Sequence, residues 1–324
     1  MDRNYSLDYI RVIAMLGILV DHAICFYDSN SLNYSGIQIG GGSVTIFFTI
    51  SSLLFGSKWE KSGYKPYAPI TFLKKRVLRI FIPLWVVVLA SIPLEYWIKG
   101  RFEPVTIGMN VVGLGWAYPF GVSGHLWYIT MLILLYISFV GISYLRLDRV
   151  KWYWWVLVFA GMTIGYLLGQ DHLTTYSKAG PPMFLFVSTL MFCKGKKILE
   201  WSANNKWLVS LSVITMVSIS QYIYQLGWHD SHKAMAVWSF IVAGFMSFLA
   251  LYVWLEKCTE EKALPCVMWF SAISYEIYLV HQPLLEVCNQ LFPSRIMMTA
   301  VWIVMTLLAV ISLSKITNAI YKRL

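Results

Sequence analysis

The chain has 324 residues, of which 58% are hydrophobic, 16% aromatic and only 13% charged. Soluble globular chains carry about 45–50% apolar and about 25% charged residues. Too few charges remain to cover a soluble enzyme, and too much hydrophobic mass is present for disorder. What remains is an all-α, polytopic membrane bundle forming a single domain over 1–324. The net charge of +10 is then a question of where 26 Lys and Arg fall relative to the spans, not a sign of nucleic-acid binding.

A membrane helix needs about 20 mostly apolar residues. On that rule about ten transmembrane helices are predicted, at roughly 8–27, 38–56, 77–98, 125–145, 152–169, 181–195, 206–226, 234–256, 265–290 and 296–320. The sixth is short and begins at Pro181-Pro182. The Gly-rich stretch 105–120 is apolar but too short to cross, so it reads as a re-entrant or interfacial piece. The first span carries Asp8, Arg11, Asp21 and His22 and has no small-residue cleavage site, which marks a retained helix.

With these spans, 21 of the 26 cations fall at the termini, in loops after even-numbered spans, or at Arg11. The other five are Lys99, Arg101, Lys178, Lys233 and Arg295. That asymmetry predicts that both termini face the cytoplasm. The five cysteines are odd in number and irregularly spaced, giving neither a disulfide framework nor a zinc pattern, and no metal is expected. Cys25 and Cys288 near outer helix ends permit one bridge, although Cys is also an ordinary small apolar residue. His229 and His232 in an outer loop, without a carboxylate, make only a weak metal pattern.

Ionisable groups inside spans are costly and mark cavities or pathways. Arg11 and His22 are eleven residues apart, about three turns, which places them on one helix face roughly 16 Å apart along the axis. Asp8, Arg11, Met15, Ile18 and His22 form a single stripe. An imidazole in it exchanges protons near neutral pH. Asp21 points about 100° away from His22 and is expected to cap or pair with another helix. At the start of the third span, Arg76 and Arg79 share a face at i, i+3, with Lys75 beside them. Two guanidinium forks suit phosphate, although basic clusters also arise from topology and lipid headgroups alone. His125, Trp127 and Tyr128 open the fourth span, where an aromatic belt is the competing reading. In the ninth span Glu276 needs a partner, Tyr278 and His281 share a face, and Gln282-Pro283 kinks the helix. A polar contact between helices would explain these equally well.

Taken together, these residues resemble the acyltransferase 3 family of integral membrane acyltransferases, many of which O-acetylate bacterial surface carbohydrates. The resemblance begins with Leu7-Asp8-Tyr9-Ile10-Arg11-Val12-Ile13-Ala14 and the later His22, which match an Arg–ten residues–His signature. It continues through Ile46-Phe47-Phe48-Thr49-Ile50-Ser51, Arg76-Val77-Leu78-Arg79, His125-Leu126-Trp127-Tyr128, and Ser274-Tyr275-Glu276-Ile277-Tyr278-Leu279-Val280-His281. Two positions depart from it. Ser52 stands where Gly usually follows Ser51, and Glu276 stands where a small hydroxyl residue is more usual, which points to a different acceptor.

The resemblance implies a mechanism. Acyl-CoA, most simply acetyl-CoA, would approach from the cytoplasm, with Arg76, Arg79 and Lys75 on its phosphates. His22 would act as general base or transient acyl carrier, and Arg11 would orient the donor or stabilise developing charge. Ser51, His125, Trp127, Tyr128, Glu276, Tyr278 and His281 would line the acceptor side for a cell-surface or lipid-linked carbohydrate. The implied setting is the bilayer of a bacterial inner membrane, without nucleic-acid partners and with homo-oligomerisation left open. Two other classes compete. A glycan transporter or flippase would show discontinuous helices in symmetry-related halves, and no internal repeat is visible. A non-catalytic scaffold for glycan assembly would bind no coenzyme A.

Overall fold

The computed structural model describes residues 4–27, 39–101, 103–118, 121–169, 176–226, 233–258 and 264–322. It is all-helical, 88% helix, with no strand among the described residues. The helices are α1 (Tyr5–Tyr27), α2 (Ile39–Lys61), α3 (Pro69–Lys99), α4 (Pro104–Val111), α5 (Trp127–Leu145), α6 (Trp152–Leu168), α7 (Tyr176–Asn204), α8 (Lys206–Gln225), α9 (Lys233–Cys258), α10 (Pro265–Ala272), α11 (Ser274–Leu291) and α12 (Arg295–Tyr321). Six helical segments are long and apolar enough to cross a membrane by length and composition: α2, α3, the Gly124–Leu145 segment, most of α8 and α9, and α12.

Helices stand at the ten predicted positions, but among the described residues only those at 38–56, 77–98, 125–145, 206–226, 234–256 and 296–320 meet the length and apolarity of a span, and the extents differ. The run 181–195 lies within a longer helix, α7, which covers Tyr176–Asn204, 29 residues with Pro181 and Pro182 inside it, and is not among the six segments apolar enough to cross. The stretch expected as one helix over 265–290 is two, broken between Ala272 and Ser274. The stretch 105–120 forms the short α4 and then turns at Gly113, whose φ of +80° is open to glycine at no steric cost. Cys288 is a free thiol, so it forms no bridge. His229 and His232 lie outside the described residues.

On α1, apolar Leu16 is 53% exposed while Asp8 is 4% exposed. That inverts the pattern of a soluble helix and places the polar stripe inward. The flanking Asp21 packs directly on Gly40 of α2, where a Cβ would strike its carboxylate.

Contacts divide the chain into two compact units, Met1–Asp21 with Ser29–Ala68 and Ile137–Met268, and His22–Asp28 with Pro69–Tyr136 and Trp269–Leu324. The first is held by close backbone approach and aromatic stacking. A Cβ on Gly56 of α2 would strike the Phe192 carbonyl of α7. Trp59 and Phe139 each stack on Phe192, at 5.0 and 4.6 Å between ring centroids. Small residues at helix crossings are what membrane bundles need, because lipid supplies no hydrophobic drive between helices and dispersion contacts must do the work. The second unit is organised around α11, which packs on α3 and α12.

Candidate active site

α11 carries the buried Tyr278 and His281 of the second unit. Pro283 lies inside it. Proline has no N–H for the Leu279 carbonyl, and its ring pushes that turn open. His281 lies two residues before this proline and is fully buried. Its Nδ1 is 2.7 Å from the Tyr278 carbonyl oxygen and 3.3 Å from that of Ile277. Its own carbonyl accepts a hydrogen bond from Trp302 Nε1 of α12 at 2.7 Å.

Three imidazoles meet here. His281 Nε2 lies 3.2 Å from His22 Nδ1, with ring centroids 4.9 Å apart. The His125 ring packs edge-on against His281 at 4.8 Å and against Tyr278 at 5.0 Å. Tyr128 completes the set, its ring 4.8 Å from that of Tyr278. The short Gly124–Leu126 turn that presents His125 is pinned twice. The Tyr278 hydroxyl donates to the His125 carbonyl, and the His125 N–H donates to Gln282 Oε1 at 3.1 Å. The His125 ring is 3% exposed, yet neither ring nitrogen has a hydrogen-bond partner of proper geometry. Among the described residues no group of three or more His, Cys, Asp or Glu is arranged to hold a metal ion.

The basic residues of α3 lie near the N-terminal turn of α11. Tyr275 donates to the Ile80 carbonyl at 2.9 Å, and Tyr321 of α12 donates to the Arg79 carbonyl at 3.2 Å. Arg76 is half-buried with its guanidinium 5.9 Å from the centre of the Phe72 ring, while Arg79 and Lys75 are exposed. Both guanidinium charges act on Tyr136 of α5, and Arg79 acts on Glu276, one of whose oxygens is buried without a hydrogen-bond partner. From Glu276 to His281 is five residues of helix, about 7.5 Å of rise. One unit therefore carries an anion-suited surface at one level and an imidazole cluster about a turn and a half deeper.

A profile described as an acyltransferase domain, acyltransferase 3, covers residues 4–315. The chain belongs to the acyltransferase 3 family. No curated protein and no solved structure matches it. As a member of this acyltransferase family with several long apolar helices, it is a multi-pass membrane acyltransferase.

The structure brings together His22, His125, Tyr128, Tyr278 and His281, residues drawn from three separate stretches of sequence. Trp127 opens α5 beside Tyr128. Arg11 and Ser51 fall in the first unit. There Arg11 faces Asp8 at 3.5 Å, on the wall of a cavity of about 1120 Å³ also lined by Glu60, Lys196, Glu200 and Glu256. Ser51 is half-buried on α2, and the adjacent Ser52 bonds back to the Phe48 carbonyl at 2.7 Å, so the extra hydroxyl beside Ser51 is satisfied within its own helix. Sequence reasoning missed Trp302 and Glu95. Trp302 reads as one more aromatic among 15 Trp. Glu95, 9% exposed in α3, accepts the Val122 N–H at 2.8 Å and holds the loop leading to His125. As a carboxylate inside an apolar run it carried a signal that went unused.

Proposed function

We propose that this acyltransferase moves an acetyl group from cytoplasmic acetyl-CoA to a hydroxyl of a cell-surface or lipid-linked carbohydrate. Its ten-span bundle would lie in a bacterial inner membrane with both termini in the cytoplasm. The observation that carries the reading is the His22–His281–His125 cluster, set deeper in the same unit than the Arg76–Arg79 face. Arg76, Arg79 and Lys75 hold the donor phosphates, since guanidinium forks match phosphate oxygens in number and plane. The acceptor hydroxyl sits among His125, Tyr128 and Tyr278. His22 takes its proton as the oxygen attacks the thioester carbonyl, the C–S bond breaks, and the departing sulfur takes that proton back.

Coenzyme A binding to the purified protein in micelles tests the donor half. Losing two charge-assisted contacts, each about 1.5–3 kcal/mol, predicts that Arg76→Ala/Arg79→Ala weakens binding by roughly 100-fold or more. An unchanged affinity, or no binding by the parent protein, refutes it. For the chemical half, His22→Ala keeps expression and removes the acyl mass from the envelope glycan, read by mass spectrometry in a complemented deletion strain. Glycan that stays acylated removes His22 from its role.

A further inference from the structure

We infer that His281 is a positioning residue that fixes which nitrogen of His22 is basic. The inference rests on His22 being the general base. A neutral imidazole has one N–H and one lone pair, and which nitrogen holds which is set by the partner of the other. Around His281 the assignment is forced. Its Nδ1 faces two carbonyl oxygens, Tyr278 at 2.7 Å and Ile277 at 3.3 Å. Carbonyls only accept, so Nδ1 carries the hydrogen. An imidazolium here would be a fully buried cation against two further imidazoles, so His281 is neutral. Its Nε2 therefore holds a lone pair.

That lone pair lies 3.2 Å from His22 Nδ1. Two lone pairs cannot face each other at that distance, so His22 Nδ1 carries a hydrogen and donates it. The remaining nitrogen of His22, Nε2, then holds the lone pair and is the one able to take a proton. The Tyr278 backbone thus dictates, through the His281 ring, the basic atom of His22, which lies 259 positions before His281 in the chain. In this role His281 stands where catalytic bases often use a carboxylate, but it brings no charge into the apolar interior. Its ring cannot swing away: the Trp302 indole holds its carbonyl, and the His125 and Tyr278 rings pack on it at 4.8 and 5.7 Å.

The test reads the tautomer and the rate separately. Nitrogen-15 imidazole spectra of the full-length protein in micelles, with His22 assigned by comparison with His22→Ala, are expected to show His22 protonated at Nδ1 only. His281→Leu removes the acceptor. It is expected to release His22 into the Nε2–H form and to slow transfer of label from radiolabelled acetyl-CoA to membrane glycan by at least about 100-fold, the lower range of what a placed base contributes. Coenzyme A affinity should not change. His281→Gln offers an amide oxygen at a similar position and should keep the Nδ1–H form, with a rate within about tenfold of the parent, one hydrogen bond's worth. A parent spectrum showing His22 protonated at Nε2, or at both nitrogens, overturns the inference whether or not the variants fold. So does a His281→Leu protein that transfers at the parent rate. If instead His22→Ala itself transfers normally, the general-base reading fails, and the parent spectrum still decides the tautomer on its own.

Discussion

Glu95→Ala isolates what holds the His125 loop in place. The Glu95 carboxylate accepts the N–H of Val122, a residue with no exposed surface, at 2.8 Å. Gly121 leaves no room beside it, since a Cβ there would strike the same carboxylate. Three residues after Val122 comes His125. Removing the carboxylate orphans a buried backbone donor, at a cost of about 1–3 kcal/mol. That cost falls on local opening of the loop, not on the bundle, because the Val122 amide that Glu95 holds lies at the loop's end. At 1.36 kcal/mol per factor of ten, the open form becomes roughly 5- to 150-fold more populated. Hydrogen–deuterium exchange of the full-length protein in micelles should show that loss of protection in peptides spanning 121–126, with α8 unchanged. Glu95→Gln keeps an oxygen for Val122 and should lose much less. Acyl transfer should slow in Glu95→Ala while coenzyme A affinity holds, since the loop serves His125 and not Arg76 or Arg79. Equal protection of the loop in all three proteins refutes the reasoning. So does a uniform loss across α8, which would make Glu95 a support of the whole bundle.

Two further predictions concern the first unit. Gly56→Ala and Gly244→Ala drive a Cβ into backbone, with Phe192 carbon atoms at 2.8 and 2.9 Å in one case and Gly42 Cα at 2.7 Å in the other, whereas Gly42→Ala meets Gly244 only at an ordinary 3.6 Å. The first two should lower the melting temperature, as overpacking that costs about 1–3 kcal/mol does, and the third should not; a Gly42→Ala protein as unstable as Gly244→Ala would contradict this. Outside the spans, hydrogen bonds from Arg146 at 2.9 Å hold the Asp148 carboxyl below the usual carboxylate range, the burial of Asp148 opposing but not winning. A depressed folded value means the pair stabilises above the unfolded value of about 3.9 and is lost as pH falls through the folded one. Asp148→Asn should therefore melt below the parent near neutral pH, with the gap closing as the pH drops below about 4; a gap that persists in acid would assign the effect to packing.

Much of the fold was legible because lipid simplifies the code: long apolar runs became helices almost wherever they occurred. The misjudged ends have one cause. Hydropathy stops at the first charges, but helical hydrogen bonding does not, so α2 continues through Lys58 and Lys61, and α7 through Lys196 to Asn204. The break between α10 and α11 was invisible for the opposite reason: neither Ala272 nor Ile273 is a helix breaker, and the Ser274 hydroxyl instead bonds the Ser271 carbonyl at 2.9 Å. Within the site, periodicity could show that Tyr278 and His281 share a face. It could not show that His22 would meet them, because that contact is made by packing between distant helices.

A buried polar residue in such a protein is conspicuous, yet conspicuousness alone does not separate chemistry from scaffolding. How far its hydrogen-bonding capacity is already used does. Glu95 serves a backbone amide, and Thr130 donates to the Gly113 carbonyl at 2.7 Å. Each ties a loop with bonds made inside the protein, which is reason enough for it to be there. The His125 ring is buried as deeply, and its two nitrogens are spent on nothing of proper geometry. Capacity left in so buried a ring suits a hydroxyl or water entering beside it. On that ground the proposed reading puts His125, and not Glu95, beside the acceptor, although both are polar residues in apolar sequence a few residues from a helix end.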